Sequence, residues 1–214
     1  MTEDTRTQAQ ADLAFVRAMT ERASRAPLLG GRFLLLWGGL LTLAYLAHFT
    51  ILSELAGVPV WAISILWPAF GVLGFAGTVI LSRGMGRKPG VASIGNVVER
   101  EIWKGAGLGI FIFVAGVVVA VTALGRNMIL FDLIAAVALA LYGAAFLATS
   151  AASGLTWMRI PAWASFAFAA CVPLLAGTAV LYLALSAVIL LVAVLPGLRL
   201  LLNEPEYLEQ EDAS

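Results

Sequence analysis

Charged residues divide this chain into long uncharged segments, and the spacing of the charges predicts the fold. Five segments contain no Asp, Glu, Lys or Arg, namely 33–53, 55–82, 105–125, 133–158 and 160–198. A helix needs about 20 mainly apolar residues to cross a hydrocarbon core about 30 Å thick. The first four segments are each long enough for one crossing. The last is nearly twice as long as one crossing requires, so it must form a hairpin, with its turn at 176–179.

The pattern therefore predicts an all-α polytopic membrane protein, with six transmembrane helices in one bundle and a short N-terminal amphipathic helix. The predicted spans are 33–52, 60–82, 105–124, 129–151, 160–177 and 180–201. They form a transmembrane domain at 29–202 that contains one long connecting loop, 83–104. A segment at 1–28 precedes this domain, and an acidic tail at 203–214 follows it.

Composition supports a membrane location. The chain is 61% hydrophobic and 12% charged, whereas a soluble domain is about 25% charged. The formal net charge of zero gives no general attraction to nucleic acid, and no nucleic-acid partner is expected. A single cysteine, Cys171, rules out an intrachain disulfide, and one histidine cannot supply a zinc site. No cofactor is expected. The first 28 residues are polar, so no cleavable signal peptide is predicted before the first span.

The distribution of lysine and arginine predicts how the protein is oriented in the membrane. With the N-terminus in the cytoplasm, 12 of the 13 Lys and Arg residues lie on the cytoplasmic side, and Arg126 is the exception. Basic residues favour the cytoplasmic side of spans. Both termini are therefore predicted to be cytoplasmic. The abundance of alanine, leucine, glycine and arginine favours a bacterial source, and hence a multi-pass protein of the bacterial inner membrane.

Residues 9–25 predict an amphipathic helix. Apolar positions recur at helical spacing, and basic residues lie between them. The preferred interpretation is a helix on the cytoplasmic headgroups, with its arginines against anionic lipid. The alternative is a docking helix for a protein partner on the cytoplasmic side. The candidate lipid or partner contacts are Leu13, Val16, Met19, Arg17, Arg22 and Arg25.

Small residues predict where helices pack, because small side chains let helices approach closely in lipid. The fourth span carries a ridge of alanines spaced by four residues, and the second and third spans carry glycines spaced by three or four residues. These faces should lie either inside the bundle or at the interface of a homo-oligomer. The residues are Ala136, Ala140, Ala144 and Ala148, Gly105 and Gly109, and Gly71, Gly74 and Gly77.

Few ionisable side chains fall within the predicted spans. His48 lies in the second half of the first span, and Asp132 lies near the start of the fourth, four positions before Ala136. Because these two helices run in opposite directions, both residues should lie at a similar depth in the outer leaflet. Arg126 lies in the turn before the fourth span. These three residues form the candidate polar site.

Two interpretations of this site are open. It can act as a proton relay or hold a substrate between a carboxylate and an imidazole. The simpler interpretation is structural, because the dipole of the fourth helix stabilises Asp132 and His48 can reach interfacial water. We prefer the simpler one, since neither residue is predicted at mid-membrane.

The expected function follows from what the sequence lacks. No motif for a hydrolase, a metalloenzyme or phosphate binding is present, so we do not expect an enzyme. The leading hypothesis is a non-catalytic scaffold, accessory or regulatory subunit in contact with the lipid bilayer. The alternative is a small transporter or channel that uses the polar site. Pro68 and Pro173, in the second and fifth spans, resemble the breaks in transporter helices.

Overall fold

The computed structural model describes residues 8, 12–15, 27–88 and 90–204. Its six long helices are each apolar enough to cross a membrane. They are α1 (Gly31–Leu52), α2 (Ile63–Ser82), α3 (Ile94–Thr122), α4 (Leu130–Ser153), α5 (Arg159–Leu175) and α6 (Ala179–Leu202). No strand occurs among the described residues. The predicted all-α fold with six membrane-spanning helices is confirmed.

The third helix extends beyond the predicted third span on its N-terminal side. It begins at Ile94 rather than near residue 105, so half of the predicted loop is helical. The Ser93 side chain caps this helix by accepting a hydrogen bond from the backbone N–H of Asn96. A helix of this length extends about 43 Å, which exceeds the thickness of the hydrocarbon core.

The predicted N-terminal amphipathic helix is described only in part. Residues 12–15 are helical, and the side chains of Leu13 and Phe15 are exposed. The other candidate lipid or partner contacts lie outside the described residues. They are Val16, Met19, Arg17, Arg22 and Arg25.

Four helices share the main core of the bundle. Buried apolar side chains from α1, α4, α5 and α6 pack together, including those of Tyr45, Leu139, Val172 and Leu185. Helix α2 packs mainly against α1, and α3 packs mainly against α4. Only 6% of the most apolar window of α2 and 11% of that of α3 is buried, against 50% for α6. Helices α2 and α3 therefore lie at the periphery.

Glycines allow α1 and α6 to approach closely. A Cβ atom placed on Gly197 would lie 2.9 Å from the backbone nitrogen of Leu35 and from the Cβ atom of Leu34. One placed on Gly31 would lie 2.8 Å from the carbonyl oxygen of Gly197. Between these contacts and the start of α6, residues 190–194 form a π-helical turn. The backbones of the first and last helices are therefore in direct van der Waals contact.

The predicted ridge of α4 lies at the edge of the core. Ala136 packs against the core, Ala140 and Ala148 are half-buried, and Ala144 is exposed. The neighbouring row of Ala135, Leu139 and Gly143 is buried. The ridge is therefore partly inside the bundle, and the homo-oligomer interface stays a prediction.

The glycines of α2 and α3 behave differently from one another. In α2, Cβ atoms at Gly74 and Gly77 would meet the side chains of Trp37 and Leu36 in α1. In α3, a Cβ atom at Gly105 would meet nothing within 4 Å. The predicted internal face is therefore observed for part of α2, while Gly105 points away from the bundle.

The contact between α1 and α6 predicts the effect of a single methyl group. Gly197→Ala should destabilise the protein by about 1–3 kcal/mol, because the added carbon meets backbone atoms that cannot move aside. The matched control is Gly39→Ala in α1, where the added carbon meets nothing within 4 Å. The control should be neutral, or stabilising by up to about 1 kcal/mol. Thermal unfolding in detergent measures both, and equal melting temperatures would contradict the close approach.

Candidate polar site

The residues that form the candidate site lie at one end of the bundle. Here the end that contains the start of α1 and the end of α6 is called the termini face, and the opposite end is called the far face. The side chains of His48 in α1 and Asp132 in α4 both lie near the far face, and both are buried. They do not bond to each other directly, because Tyr182 of α6 lies between them.

Both oxygens of Asp132 accept hydrogen bonds. The Tyr182 hydroxyl donates to Oδ1, and the backbone N–H of Gly177 donates to Oδ2 at 2.6 Å. Asp132 also lies in the first turn of α4, where the helix dipole favours a negative charge. The carboxylate thus joins α4 to α6 and to the turn between α5 and α6. No lysine or arginine among the described residues forms an ion pair with it.

His48 connects Asp132 and Tyr182 to Trp67 of α2, and these four residues are called the far-face cluster. Its Nδ1 atom accepts a hydrogen bond from the indole N–H of Trp67 at 3.2 Å. Its ring stacks on the ring of Tyr182, with centroids 3.6 Å apart and an interplanar angle of 22°. Because Nδ1 is an acceptor, the neutral imidazole carries its proton on Nε2. In the described part of the chain, no hydrogen bond from Nε2 is observed.

Aromatic rings extend this cluster along the α1–α2 seam. The Trp67 ring contacts Tyr45, with centroids 5.3 Å apart, and Phe70, with centroids 5.7 Å apart. Phe70 in turn contacts Trp37, whose indole N–H donates to the Thr78 hydroxyl at 3.0 Å. Large rings therefore continue from Trp67 along the contact between α1 and α2.

This arrangement limits the chemistry of the site. The path from His48 to Asp132 passes through a ring stack rather than a hydrogen bond, so it gives no continuous hydrogen-bonded route for a proton. Arg126 is exposed in the turn between α3 and α4, and no side-chain bond joins it to the cluster. Two of the three candidate residues thus meet through Tyr182, and the third lies apart.

A second polar cluster lies at the termini face, and the sequence analysis did not identify it. The Asn96 side chain accepts a hydrogen bond from the backbone N–H of Leu29 at 2.8 Å and donates to the carbonyl of Pro27 at 2.9 Å. The buried carboxylate of Glu99 accepts from the backbone N–H of Gly30 at 3.1 Å. These bonds from α3 satisfy backbone groups at the start of α1, which would otherwise have no partner.

Glu204, the first acidic residue of the tail, forms a buried ion-pair cluster. Its carboxylate contacts the Lys88 ammonium and accepts from the Arg32 guanidinium at 2.8 Å. The side chains of Lys88 and Glu204 are 1% and 5% exposed. The acidic tail therefore begins with a buried ion pair to the loop at 83–104.

The described residues contain no group of three His, Cys, Asp or Glu side chains placed to hold a metal ion. No protein-family model, curated protein or solved structure matches the chain. The class of the protein therefore rests on its helices. Six helices of sufficient length and apolarity make it a multi-pass integral membrane protein whose outer surface contacts lipid.

The bond between Tyr182 and Asp132 predicts strong coupling in stability. Tyr182→Phe and Asp132→Asn should be non-additive by about 0.5–3 kcal/mol, as expected for residues that share a buried hydrogen bond. The control cycle combines Tyr182→Phe with Thr78→Val, which removes the unrelated bond to Trp37 and should be additive within about 0.5 kcal/mol. Unfolding in mixed detergent measures both cycles. A coupling no larger than in the control would contradict the shared bond.

Proposed function

We propose that this protein is a non-catalytic scaffold or accessory subunit of a bacterial inner membrane. In this proposal both termini are cytoplasmic, consistent with the distribution of Lys and Arg along the sequence. The polar groups at the far face support a structural role, because Asp132 and His48 are buried and engaged in joining helices. The two residues therefore do not form a pair of reactive groups that is open to a substrate.

The main support for the proposal is the large exposed surface of α2 and α3. Helices α2 and α3 each pack mainly against a single helix of the described bundle and leave most of their surface outside it. The outer surface of α3 includes Gly105 and Gly116, where an added Cβ atom would meet nothing within 4 Å. Small residues on a lipid-exposed face allow another transmembrane helix to approach closely. We therefore expect α3 to contact either a second copy of this chain or another membrane subunit.

The test compares variants extracted in native-membrane nanodiscs after cross-linking in cells. Gly105→Leu combined with Gly116→Leu should abolish a specific cross-linked complex, because larger side chains prevent close approach. The control is Phe111→Leu, at a residue that is 70% exposed and lies on another side of α3. It should leave the complex intact. A protein that gives no specific complex, or the same complex in all variants, would contradict the proposal.

A second candidate is a small transporter or channel that uses the far-face site. It is favoured by Asp132, which has no basic partner among the described residues, because intramembrane carboxylates are often functional. Flux of a cation across reconstituted vesicles should then be abolished by Asp132→Asn. The matched control is Glu54→Gln, at an exposed acid near the same face, which should retain the flux. Equal flux in both variants, or none in the wild type, would exclude this candidate.

A further inference from the structure

We propose that the far-face cluster is a proton-binding site, in which His48 takes up a proton, releases Trp67 and becomes a cation stacked on Tyr182, the residue whose hydroxyl donates to Asp132. Proton uptake by His48 requires neither a scaffold partner nor transport, so failure of either proposed function leaves the proposal standing.

The hydrogen bond between Trp67 and His48 exists only with a neutral imidazole. The indole N–H is a donor and cannot accept, and it donates to Nδ1 of His48. Proton uptake from water, by way of hydronium, places a hydrogen on the Nδ1 lone pair while Nε2 keeps its own. Two donors then face each other, and the bond must break. Proton uptake therefore removes the hydrogen bond between α1 and α2 at the far face.

The same proton creates an attraction on the face of the His48 ring that contacts Tyr182. The imidazolium would stack on Tyr182, whose hydroxyl donates to Asp132. A cation is stabilised by the face of an aromatic ring, and its attraction to a carboxylate is strong in a low-dielectric interior. Among the described residues, the titratable groups that face His48 are Tyr45 of α1, Tyr182 of α6 and Asp132 of α4. Helix α2 contributes only the neutral indole of Trp67.

The position of Pro68 determines which part of α2 can respond. Pro68 follows Trp67 within α2, and its missing N–H removes one bond to the preceding turn. Two side-chain hydrogen bonds connect α2 to α1, Trp67 to His48 near the far face and Trp37 to Thr78 nearer the termini face. Loss of the first leaves the second in place. The far end of α2 should therefore separate from α1 by pivoting near Pro68.

The experiment measures the separation of α1 and α2 by spin-label distances in the full-length protein. Labels at Leu52→Cys and Ile65→Cys, both exposed positions near the far face, are introduced after Cys171→Ser removes the native thiol. Between about pH 8 and about pH 3, a range that extends well below ordinary imidazole titration, the distance should lengthen by about 1–2 Å, the scale of helix shifts at packed interfaces. A control pair, Leu43→Cys with Ile80→Cys, should not change.

Three variants decide the mechanism. His48→Gln keeps an acceptor for Trp67 but cannot titrate, so its distance should be independent of pH. Trp67→Phe should show the longer distance at both pH values, because it lacks the bond from the start. Asp132→Asn should move the transition to lower pH, because the counter-charge is gone. An unchanged distance in the wild type, a pH response that persists in His48→Gln, or an unmoved transition in Asp132→Asn would overturn the proposal.

Discussion

A carboxylate buried near a membrane surface must find its hydrogen-bond donors within the protein, and this requirement organises the far face of the bundle. Burial of an unsatisfied charge costs several kcal/mol. Asp132 meets the requirement with the Tyr182 hydroxyl and the Gly177 amide. These donors come from α6 and from the turn that precedes it, so satisfying one side chain fixes the position of the last helical hairpin against α4.

At the termini face, side chains of α3 satisfy the backbone before α1, while Oε1 of the buried Glu99 has no hydrogen-bond partner among the described residues. The start of α1 presents N–H groups that have no partner within the helix. Asn96 and Glu99, in the part of α3 that lies before the predicted third span, supply acceptors for Leu29 and Gly30. Glu204 adds a bridge from the end of α6 to Arg32 at the start of α1. Each face of the bundle is thus closed by polar contacts between elements distant in sequence.

The number and approximate positions of the helices followed from the sequence because exclusion of charge from lipid is a strong one-dimensional signal. The buried face of α4 did not follow, because the buried row of Ala135, Leu139 and Gly143 repeats every four residues just as the predicted alanine ridge does one position later. The contact between His48 and Asp132 depends on Tyr182, and Tyr182 carries no signal that separates it from Tyr45 or Tyr142. Such pairings depend on how helices are arranged in three dimensions, and spacing alone does not determine that arrangement.

The peripheral position of α2 and α3 connects this architecture to the proposed roles. A four-helix core accounts for most of the burial, so the two outer helices each pack mainly against one neighbour and present wide surfaces to the membrane. An outer helix held mainly by its contact with one neighbour can accept a partner, as proposed for α3, or shift with the protonation of a single residue, as proposed for α2. In both cases the core can stay unchanged.

Amide hydrogen exchange at Gly177 tests most directly whether internal donors satisfy Asp132. Gly177 lies in a turn at the far face, as does Gly125, which has a positive φ like Gly177 but forms no bond to Asp132. The account predicts that the Gly177 amide exchanges at least about tenfold more slowly than the Gly125 amide, equivalent to about 1.4 kcal/mol of protection, and that Asp132→Ala removes the difference. Equal exchange at the two glycines in the wild type would contradict the account.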